Sequence, residues 1–316
     1  MNRRVALKSV ASAVAGAGLM AMSVAAAGSE QKLKNRTASS ARSRFTPFIE
    51  ATDGASLFYR QWGAGQPVVF VAPWGLSCDW WEYQMTHLAG HGLACIGYDR
   101  RGHGRSSEPG RGYEFDTLAD DLKVVIDQLD LHDVTLVAQS LGAGEVVRYL
   151  SRHGAARVRR IALIAPITPF LLKTADNPDG IDAGYVAVVQ RALSKDRPGA
   201  IASAAPAFFG APKNAISAEM MDWWRQMLLQ CPLKVMVDLY GMFMKTDFRE
   251  EVSKITVPTM IIHGDRDAST PIELTGRRTA SLINGSQLKV YEDAAHGLPI
   301  THVERLNSDL LAFARS

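Results

Sequence analysis

The protein has 316 residues, of which 47% are hydrophobic and 21% are charged, so the chain has enough apolar side chains to fill a large core. The formal net charge is +3 at pH 7, but residues 1–44 alone carry a balance of +7, which leaves −4 for residues 45–316. This mildly acidic remainder argues against a nucleic-acid-binding protein, which would present a basic face.

The N-terminal segment has the features of an export signal. Arg3 and Arg4 precede the uncharged stretch Val10–Ala27, and the small residues Ala25–Gly28 suit a signal peptidase. The arginine pair also resembles the start of a twin-arginine signal. We expect residues 1–27 to be removed and the protein to be periplasmic or secreted, with no stable membrane anchor after cleavage. The alternative is a retained anchor, because 18 uncharged residues are just long enough to span a bilayer.

Residues 28–44 are polar and basic and predict a disordered linker. From residue 45 to 316, short apolar runs alternate with helical patterns, which predicts one α/β domain with a mostly parallel sheet covered by helices on both faces. The predicted strands are Ser56–Gln61, Pro67–Ala72, Leu93–Tyr98, Val134–Ala138, Val158–Ile164, Thr259–His263 and Gln287–Tyr291. The predicted helices are Thr117–Leu129, Gly142–His153 and Thr301–Arg315.

Residues 168–250 interrupt this alternation with helical patterning that is rich in Met, aromatic residues, Ala and Pro. We predict a helical lid here, inserted between the sixth and seventh core strands, over a site at the carboxyl ends of the strands. Its apolar side chains either line a pocket for a small acyl or aryl group or form the core of the lid, which is the more common role for any single one. They are Phe208, Phe209, Trp223, Trp224, Met236, Met242, Phe243 and Met244.

The strongest local signal for chemistry is Ala138-Gln139-Ser140-Leu141-Gly142, in which a predicted strand ends and a helix begins around a serine. This is the strand–turn–helix setting of a nucleophile elbow, in which a sharp turn presents the serine hydroxyl to a substrate. Small residues two positions before and after the serine allow the neighbouring backbone to approach. The alternative is a serine that only caps a helix.

A serine nucleophile needs a base and a carboxylate that orients the base. Asp267 and His296 each follow a predicted strand, and the chain order Ser, Asp, His is that of the α/β-hydrolase fold. Asp265 competes with Asp267 but is more typical of a turn-forming aspartate. His302 also follows Asp267, but it lies in a helical pattern. The other histidines that we weighed against His296 are expected at the surface or in support of the site: His87, His91, His103, His132 and His153.

The developing oxyanion also needs hydrogen-bond donors. We expect one to be the backbone N–H of Leu141, beside the serine, and the other that of Trp74, because the preceding Pro73 has no N–H. Trp74 could instead serve as a packing aromatic, or do both. The chain has three scattered cysteines and no cluster with metal-ligand spacing, so we expect no disulfide framework, no metal and no cofactor.

With these motifs assembled, the chain resembles the cofactor-free haloperoxidase and arylesterase branch of the α/β-hydrolases, a branch that also contains perhydrolases. The resemblance covers most of residues 45–316 and is carried by Tyr98–Ser106, Asp133–Leu150, Val257–Asp267 and Leu288–Arg315. It implies Ser140, Asp267 and His296 as the catalytic triad, with Trp74 and Leu141 as oxyanion donors. The chain departs from the branch near the oxyanion loop, where Ala72-Pro73 replaces the usual His-Gly. Further departures are Gly75, Ala138 and Leu141.

The function that we expect is hydrolysis of small esters through an acyl-enzyme, with peroxide as a second acceptor that would give a peracid. The expected partner is a small ester or acyl substrate rather than nucleic acid, and the oligomeric state stays open. A non-catalytic ligand-binding protein on the same fold is the alternative. An epoxide hydrolase or haloalkane dehalogenase is disfavoured because those enzymes use Asp at the position of Ser140. The fold alone does not decide among these functions.

Overall fold

The computed structural model describes residues 46–316, and the predicted signal and the whole of the predicted linker lie outside the described residues. Pro47–Ser316 forms one compact unit. Its centre is an eight-stranded sheet with strand order β1-β2-β4-β3-β5-β6-β7-β8. The strands are β1 Phe48–Glu50, β2 Ser56–Trp62, β3 Gln66–Val71, β4 Leu93–Tyr98, β5 Val134–Gln139, β6 Val158–Ile164, β7 Thr259–Gly264 and β8 Gln287–Tyr291.

The sheet is antiparallel at one edge and parallel elsewhere. β1 pairs with β2 and β2 with β4 in antiparallel fashion, whereas β4, β3, β5, β6, β7 and β8 pair in parallel. Strands β4, β5 and β7 are buried along their whole length. This burial explains their unbroken apolar runs, because helices cover a parallel sheet on both faces.

Ten α-helices lie in the described part of the chain, together with a 3₁₀ turn at Cys78–Trp81. The fourth of them bends at Asp196, where the backbone leaves helical geometry two residues before Pro198. The helices are α1 Glu82–Gly90, α2 Phe115–Gln128, α3 Leu141–His153, α4 Ala183–Phe209, α5 Ala218–Gln230, α6 Leu233–Lys245, α7 Arg249–Ser253, α8 Gly276–Leu282, α9 Leu298–Thr301 and α10 Val303–Arg315.

The predicted α/β-hydrolase architecture, a mostly parallel sheet flanked by helices, is confirmed. All seven predicted strands form, with ends within one residue of the prediction. The helical insertion lies between β6 and β7 and contains α4, α5, α6 and α7.

The differences are local. The short edge strand β1 was not predicted, because a three-residue strand carries little periodicity. The predicted helix Thr301–Arg315 forms as Val303–Arg315, after a separate turn of helix, Leu298–Thr301, with a break at His302.

No single described helix is long and apolar enough to cross a membrane. The pair Ala218–Gln230 and Leu233–Lys245 meets those criteria of length and composition only when taken together, and it is bent by 90°.

Candidate active site

The parallel strands bring the candidate residues to one edge of the sheet. Ser140 follows β5, and Trp74 lies three residues beyond the end of β3. Asp267 lies three residues after β7, and His296 five residues after β8. Because β3, β5, β7 and β8 run in the same direction, their carboxyl ends share this edge, where α/β proteins bind their ligands.

Ser140 has the backbone strain of a nucleophile elbow. Its φ of 55° and ψ of −118° lie outside the regions that non-glycine residues favour. The turn is held because the Ser140 N–H donates to the Ile164 carbonyl oxygen at 3.0 Å and the Ser140 carbonyl oxygen accepts from Ala143 at 3.0 Å. Ser140 is not completely buried, since 7% of the residue remains exposed to solvent.

The small residues around Ser140 have a steric reason. A Cβ added to Gly142 would lie 2.7 Å from the Val71 carbonyl oxygen and 3.0 Å from that of Ala72, so α3 can begin this close to β3 only with glycine there. Ala138 is fully buried and pairs with Val71 and Leu163 on the two sides of β5. Alanine therefore fits where the resemblance would place glycine.

Asp267 and His296 are joined by a direct hydrogen bond. The Nδ1 atom of His296 lies 2.7 Å from Oδ2 of Asp267, and both residues are buried. The other carboxylate oxygen, Oδ1, accepts from the N–H groups of Ser269 at 2.8 Å and Thr270 at 2.9 Å. With Oδ1 occupied in this way, Oδ2 is turned towards the histidine. A carboxylate in this place fixes the imidazole with Nδ1 protonated and Nε2 free to act as a base.

Two further side chains contact the same carboxylate and were not picked out from the sequence. The Thr270 hydroxyl donates to Oδ2 of Asp267 at 3.0 Å, and Nε2 of His263 lies 3.3 Å from that atom. Burial alone would raise the pKa of Asp267, but His296 and His263 hold the pKa well below its usual value, so the group stays ionised. His263 ends a buried strand, where apolar sequence gives no sign of such a role.

A third unpredicted residue, Gln139, links the strand that leads to Ser140 to the loop that carries His296. Its Nε2 donates to the backbone carbonyl oxygen of His296 at 2.7 Å, and its Oε1 accepts from the indole N–H of Trp80 at 2.6 Å. Gln139 immediately precedes Ser140. The Ser140 hydroxyl itself makes no hydrogen bond within the described part of the chain. Serine–base contacts of unliganded sites are often long and shorten once substrate is bound.

The Trp74 side chain has the packing role that was one of the two considered from the sequence. Its indole N–H donates to the Met236 carbonyl oxygen at 3.0 Å, and its ring packs against Tyr240 and Phe243 with centroids 5.6 and 6.4 Å away. The side chain therefore attaches the loop after β3 to helix α6. Leu141, the other predicted donor, is the first residue of α3, where backbone N–H groups have no partner within the helix.

The lid side chains divide into core residues and residues near the site. Phe208 is partly buried, and its ring meets that of His296 with centroids 5.3 Å apart. The Phe208 carbonyl oxygen also accepts from the Gly297 N–H at 2.7 Å. The buried set, which matches the expectation of lid core, is Phe209, Trp224, Met236, Phe243 and Met244, and the partly buried set is Phe208, Trp223 and Met242.

The aspartate and histidines that the sequence offered as alternatives to Asp267 and His296 lie away from the site or make other contacts. Asp265 is exposed and makes no side-chain hydrogen bond within the described residues, so the turn that it was expected to cap is capped by Asp267 instead. The ring of His302 packs at a tilt against that of Tyr291, with centroids 5.9 Å apart, and His153 pairs with Asp120. His103 is buried and contacts the loop that carries Trp74.

Comparison with known proteins agrees with this architecture. The model of the α/β-hydrolase fold family matches residues 66–303. A non-heme chloroperoxidase of Kitasatospora aureofaciens is 39% identical over 271 residues, covering 84% of this chain and 98% of the relative. A bifunctional esterase/perhydrolase of Acinetobacter calcoaceticus is 36% identical over 275 residues, covering 85% of this chain and 99% of the relative. The crystal structure of a bromoperoxidase from Bacillus anthracis superposes with a TM-score of 0.82 at 35% identity, covering 85% and 99% of the two chains.

Proposed function

The chain belongs to the α/β-hydrolase fold family, within its non-heme haloperoxidase and esterase/perhydrolase branch, and we propose that it is an exported serine esterase acting on small esters. In this proposal Ser140 is the nucleophile, His296 the base and Asp267 the carboxylate that orients it. Trp74 and Leu141 donate their N–H groups to the oxyanion. The observation that carries the proposal is the 2.7 Å hydrogen bond between His296 and Asp267, on neighbouring loops of the sheet edge that also bears the strained Ser140.

The first half of the reaction is acylation. Nε2 of His296 removes the proton of the Ser140 hydroxyl as its oxygen attacks the ester carbonyl. The carbonyl oxygen becomes an oxyanion between the two proposed N–H donors, and the dipole of α3 favours negative charge at its N-terminus. His296 then gives the proton to the leaving alkoxide, which departs as the alcohol. Asp267 stabilises the imidazolium without taking its proton.

The second half releases the acyl group. Water, deprotonated by His296, attacks the acyl-enzyme and gives the carboxylic acid and free serine. Hydrogen peroxide attacking the same carbonyl gives a peracid and free serine, and the peracid can then oxidise halide. The relatives named as chloroperoxidase and esterase/perhydrolase favour this second acceptor. Phe208, the partly buried aromatic side chain beside His296, favours an uncharged acyl or aryl group.

Export is the part of the proposal that rests on sequence alone. Arg3 and Arg4, the uncharged stretch Val10–Ala27 and the small residues that follow support a cleaved signal of twin-arginine type and a periplasmic or secreted enzyme.

The test is hydrolysis of p-nitrophenyl acetate by the purified protein beside its Ser140→Ala variant, with and without hydrogen peroxide. We expect turnover that Ser140→Ala reduces to background, and peracid formation when peroxide is added. A folded wild-type protein without turnover would overturn the esterase proposal in favour of a non-catalytic ligand-binding protein. Turnover without peracid would leave an esterase alone.

A further inference from the structure

The backbone of the oxyanion loop, Ala72–Gly75, is held by hydrogen bonds on both sides of Trp74. Pro73 has no N–H, and the N–H of Gly75 donates to Nε2 of His103 at 3.2 Å. Nδ1 of His103 lies 3.0 Å from the Arg101 carbonyl oxygen, which fixes the proton on Nδ1 and leaves Nε2 as the acceptor. The N–H of Trp74 has no acceptor within the described residues, so it is the loop's available donor.

The carbonyl oxygens of this loop are held by Arg100. Its Nη2 donates to the Ala72 oxygen at 2.6 Å and its Nη1 to the Pro73 oxygen at 3.3 Å. Its Nε donates to Oε1 of Glu145, and the other oxygen of Glu145 accepts from the Tyr98 hydroxyl at 3.0 Å. Arg100 is 2% exposed and Glu145 is fully buried.

Glu145 places this ion pair on the helix of the nucleophile. It lies in α3, one turn after Leu141, whose N–H is the second proposed oxyanion donor. One guanidinium thus connects the loop that carries the Trp74 N–H to the helix that carries the Leu141 N–H. The contact is specific to arginine, because its planar fork can donate to two carbonyl oxygens and a carboxylate at once, which a single lysine ammonium cannot do in the same geometry.

Stability alone gives a weak reason for such a pair. Removing two charges from water is costly, and buried ion pairs can often be replaced by apolar side chains without loss of stability. Geometry gives a stronger reason, since Ala72-Pro73 offers few backbone groups through which the loop could be fixed.

We propose that Arg100 is a positioning residue for ester hydrolysis: it sets the separation of the Trp74 and Leu141 N–H groups by holding the oxyanion loop against helix α3. This inference rests on the proposed esterase function. A misplaced donor weakens binding of the oxyanion in the transition state more than binding of the neutral ester. Loss of Arg100 therefore lowers kcat and leaves KM nearly unchanged.

The experiment compares Arg100→Met and Arg100→Lys with the wild type on p-nitrophenyl acetate, and measures inhibition by an aryl trifluoromethyl ketone and by its non-fluorinated ketone. The fluorinated ketone is attacked by the serine and forms an oxyanion, whereas the simple ketone stays a neutral ligand. We expect kcat to fall by about 10- to 100-fold in Arg100→Met, with KM changed less than about threefold. In Arg100→Met the inhibition constant of the fluorinated ketone should rise by the same factor as kcat/KM falls. The inhibition constant of the simple ketone should not rise. In Arg100→Lys the changes in kcat and in the fluorinated-ketone constant should be intermediate.

The matched control is Arg160→Met. Arg160 is likewise a buried arginine that donates to backbone, at Phe313, but it is the third residue of β6, near the amino end of that strand, whereas the site lies at the carboxyl ends of the strands. This variant should lose stability and keep kcat. If Arg100→Met does not fold, Arg100→Lys and Glu145→Gln carry the test.

Two negative outcomes are distinguishable. Wild-type protein without ester hydrolysis overturns the esterase function itself. If the wild type is active and the folded Arg100 variants keep its kcat, this inference alone is overturned. The same holds if the inhibition constant of the fluorinated ketone does not follow kcat/KM.

Discussion

At the scale of the residue, Asp267 uses its two carboxylate oxygens for two different tasks. One oxygen caps its own turn through the N–H groups of Ser269 and Thr270, and the other faces His296. The neighbouring Asp265 is exposed and takes part in neither task. The two aspartates are close in sequence, but only Asp267 has an environment suited to orienting a base.

This difference gives a first prediction. In Asp267→Asn, the amide oxygen can still accept from the turn, and the amide nitrogen would then face Nδ1 of His296 and force the wrong tautomer. We expect kcat/KM to fall by about 10³- to 10⁴-fold. Asp265→Asn is the matched control and should retain wild-type kinetics on the same ester. Equal losses in the two variants would remove Asp267 from its proposed role.

His103 gives a second prediction, on pH. Burial, with the charge of Arg100, lowers the pKa of His103 to about 3, whereas the unfolded chain protonates it near the ordinary value of 6.5. The folded protein therefore binds this proton less tightly, and stability falls as the pH drops from 6.5 towards 3. Between neutral pH and pH 5 the expected loss in free energy of unfolding from this residue is about 2 kcal/mol.

The measurement is urea unfolding at both pH values. In His103→Gln the side-chain oxygen can still accept from Gly75, but the group no longer titrates, so the pH dependence should flatten by that amount. His132→Gln, at an exposed histidine, is the control. An unchanged slope in His103→Gln would contradict the prediction.

At the scale of the element, the start of helix α3 and the end of strand β3 approach each other at Gly142. Their separation leaves no room for a methyl group, since the nearest backbone oxygen would be 2.7 Å away. The helix that begins at the nucleophile and the loop that carries Trp74 are thus fixed against each other by backbone contact as well as by Arg100.

The third prediction follows from this contact. Gly142→Ala should lower the free energy of unfolding by about 1–3 kcal/mol, because backbone rather than a flexible side chain must move. It should also lower kcat, since the displaced backbone leads directly into the oxyanion loop. Gly90→Ala is the control, because a Cβ there meets nothing within 4 Å, and alanine is a better helix former than glycine. Thermal unfolding and ester kinetics of Gly142→Ala and Gly90→Ala test both the stability loss and the loss of kcat.

The lid gives an element-scale contrast between adjacent residues. Phe208 packs on the ring of His296 and is partly buried, whereas Phe209 is 1% exposed and packs on Trp224 inside the lid. The two side chains have the same volume and chemistry. Both rings pack on Trp224, but only that of Phe208 also meets the ring of His296.

We predict that Phe208→Ala raises KM for an aryl ester, because its ring lies beside His296. It should lower the melting temperature less than Phe209→Ala does, because Phe208 is only partly buried. Phe209→Ala should instead lose about 3–5 kcal/mol of stability, the usual cost of removing a buried aromatic ring. Steady-state kinetics and thermal unfolding of both variants test this. A lowered melting temperature with unchanged KM in Phe208→Ala would assign Phe208 to the lid core.

At the scale of the whole molecule, the charge is distributed unevenly along the chain. Residues 1–44 carry +7 and the remaining residues −4, so the overall charge of +3 describes neither part. After removal of the proposed signal, the linker would still carry basic residues next to a mildly acidic enzyme.

A fifth prediction concerns processing. Expressed in a bacterium with a twin-arginine export system, the chain should appear outside the cytoplasm with Gly28 as its N-terminal residue. Replacing Arg3 and Arg4 with lysine should leave an unprocessed precursor in the cytoplasm. Cell fractionation and N-terminal sequencing provide the measurement. An exported chain that keeps residues 1–27 would indicate an anchor.

The sequence by itself determined seven of the eight strands of the sheet and their order along the chain. Strands such as Leu93–Tyr98 were predicted with their observed ends, because a strand covered on both faces must be apolar throughout. The candidates Ser140, Asp267 and His296 were found because each follows a predicted strand and parallel strands share one carboxyl edge. These inferences need only neighbours along the chain.

The tertiary structure decided which side chains support these residues. Gln139 contacts the His296 backbone across 157 positions of sequence, and Arg100 contacts Glu145 across 45. His263 looks like part of an apolar strand until β7 is placed beside the Asp267 turn. No local pattern specifies these contacts, because they arise from the packing of separate elements. A hydrogen bond depends on distance in space, whereas sequence periodicity records only which face of one element is buried.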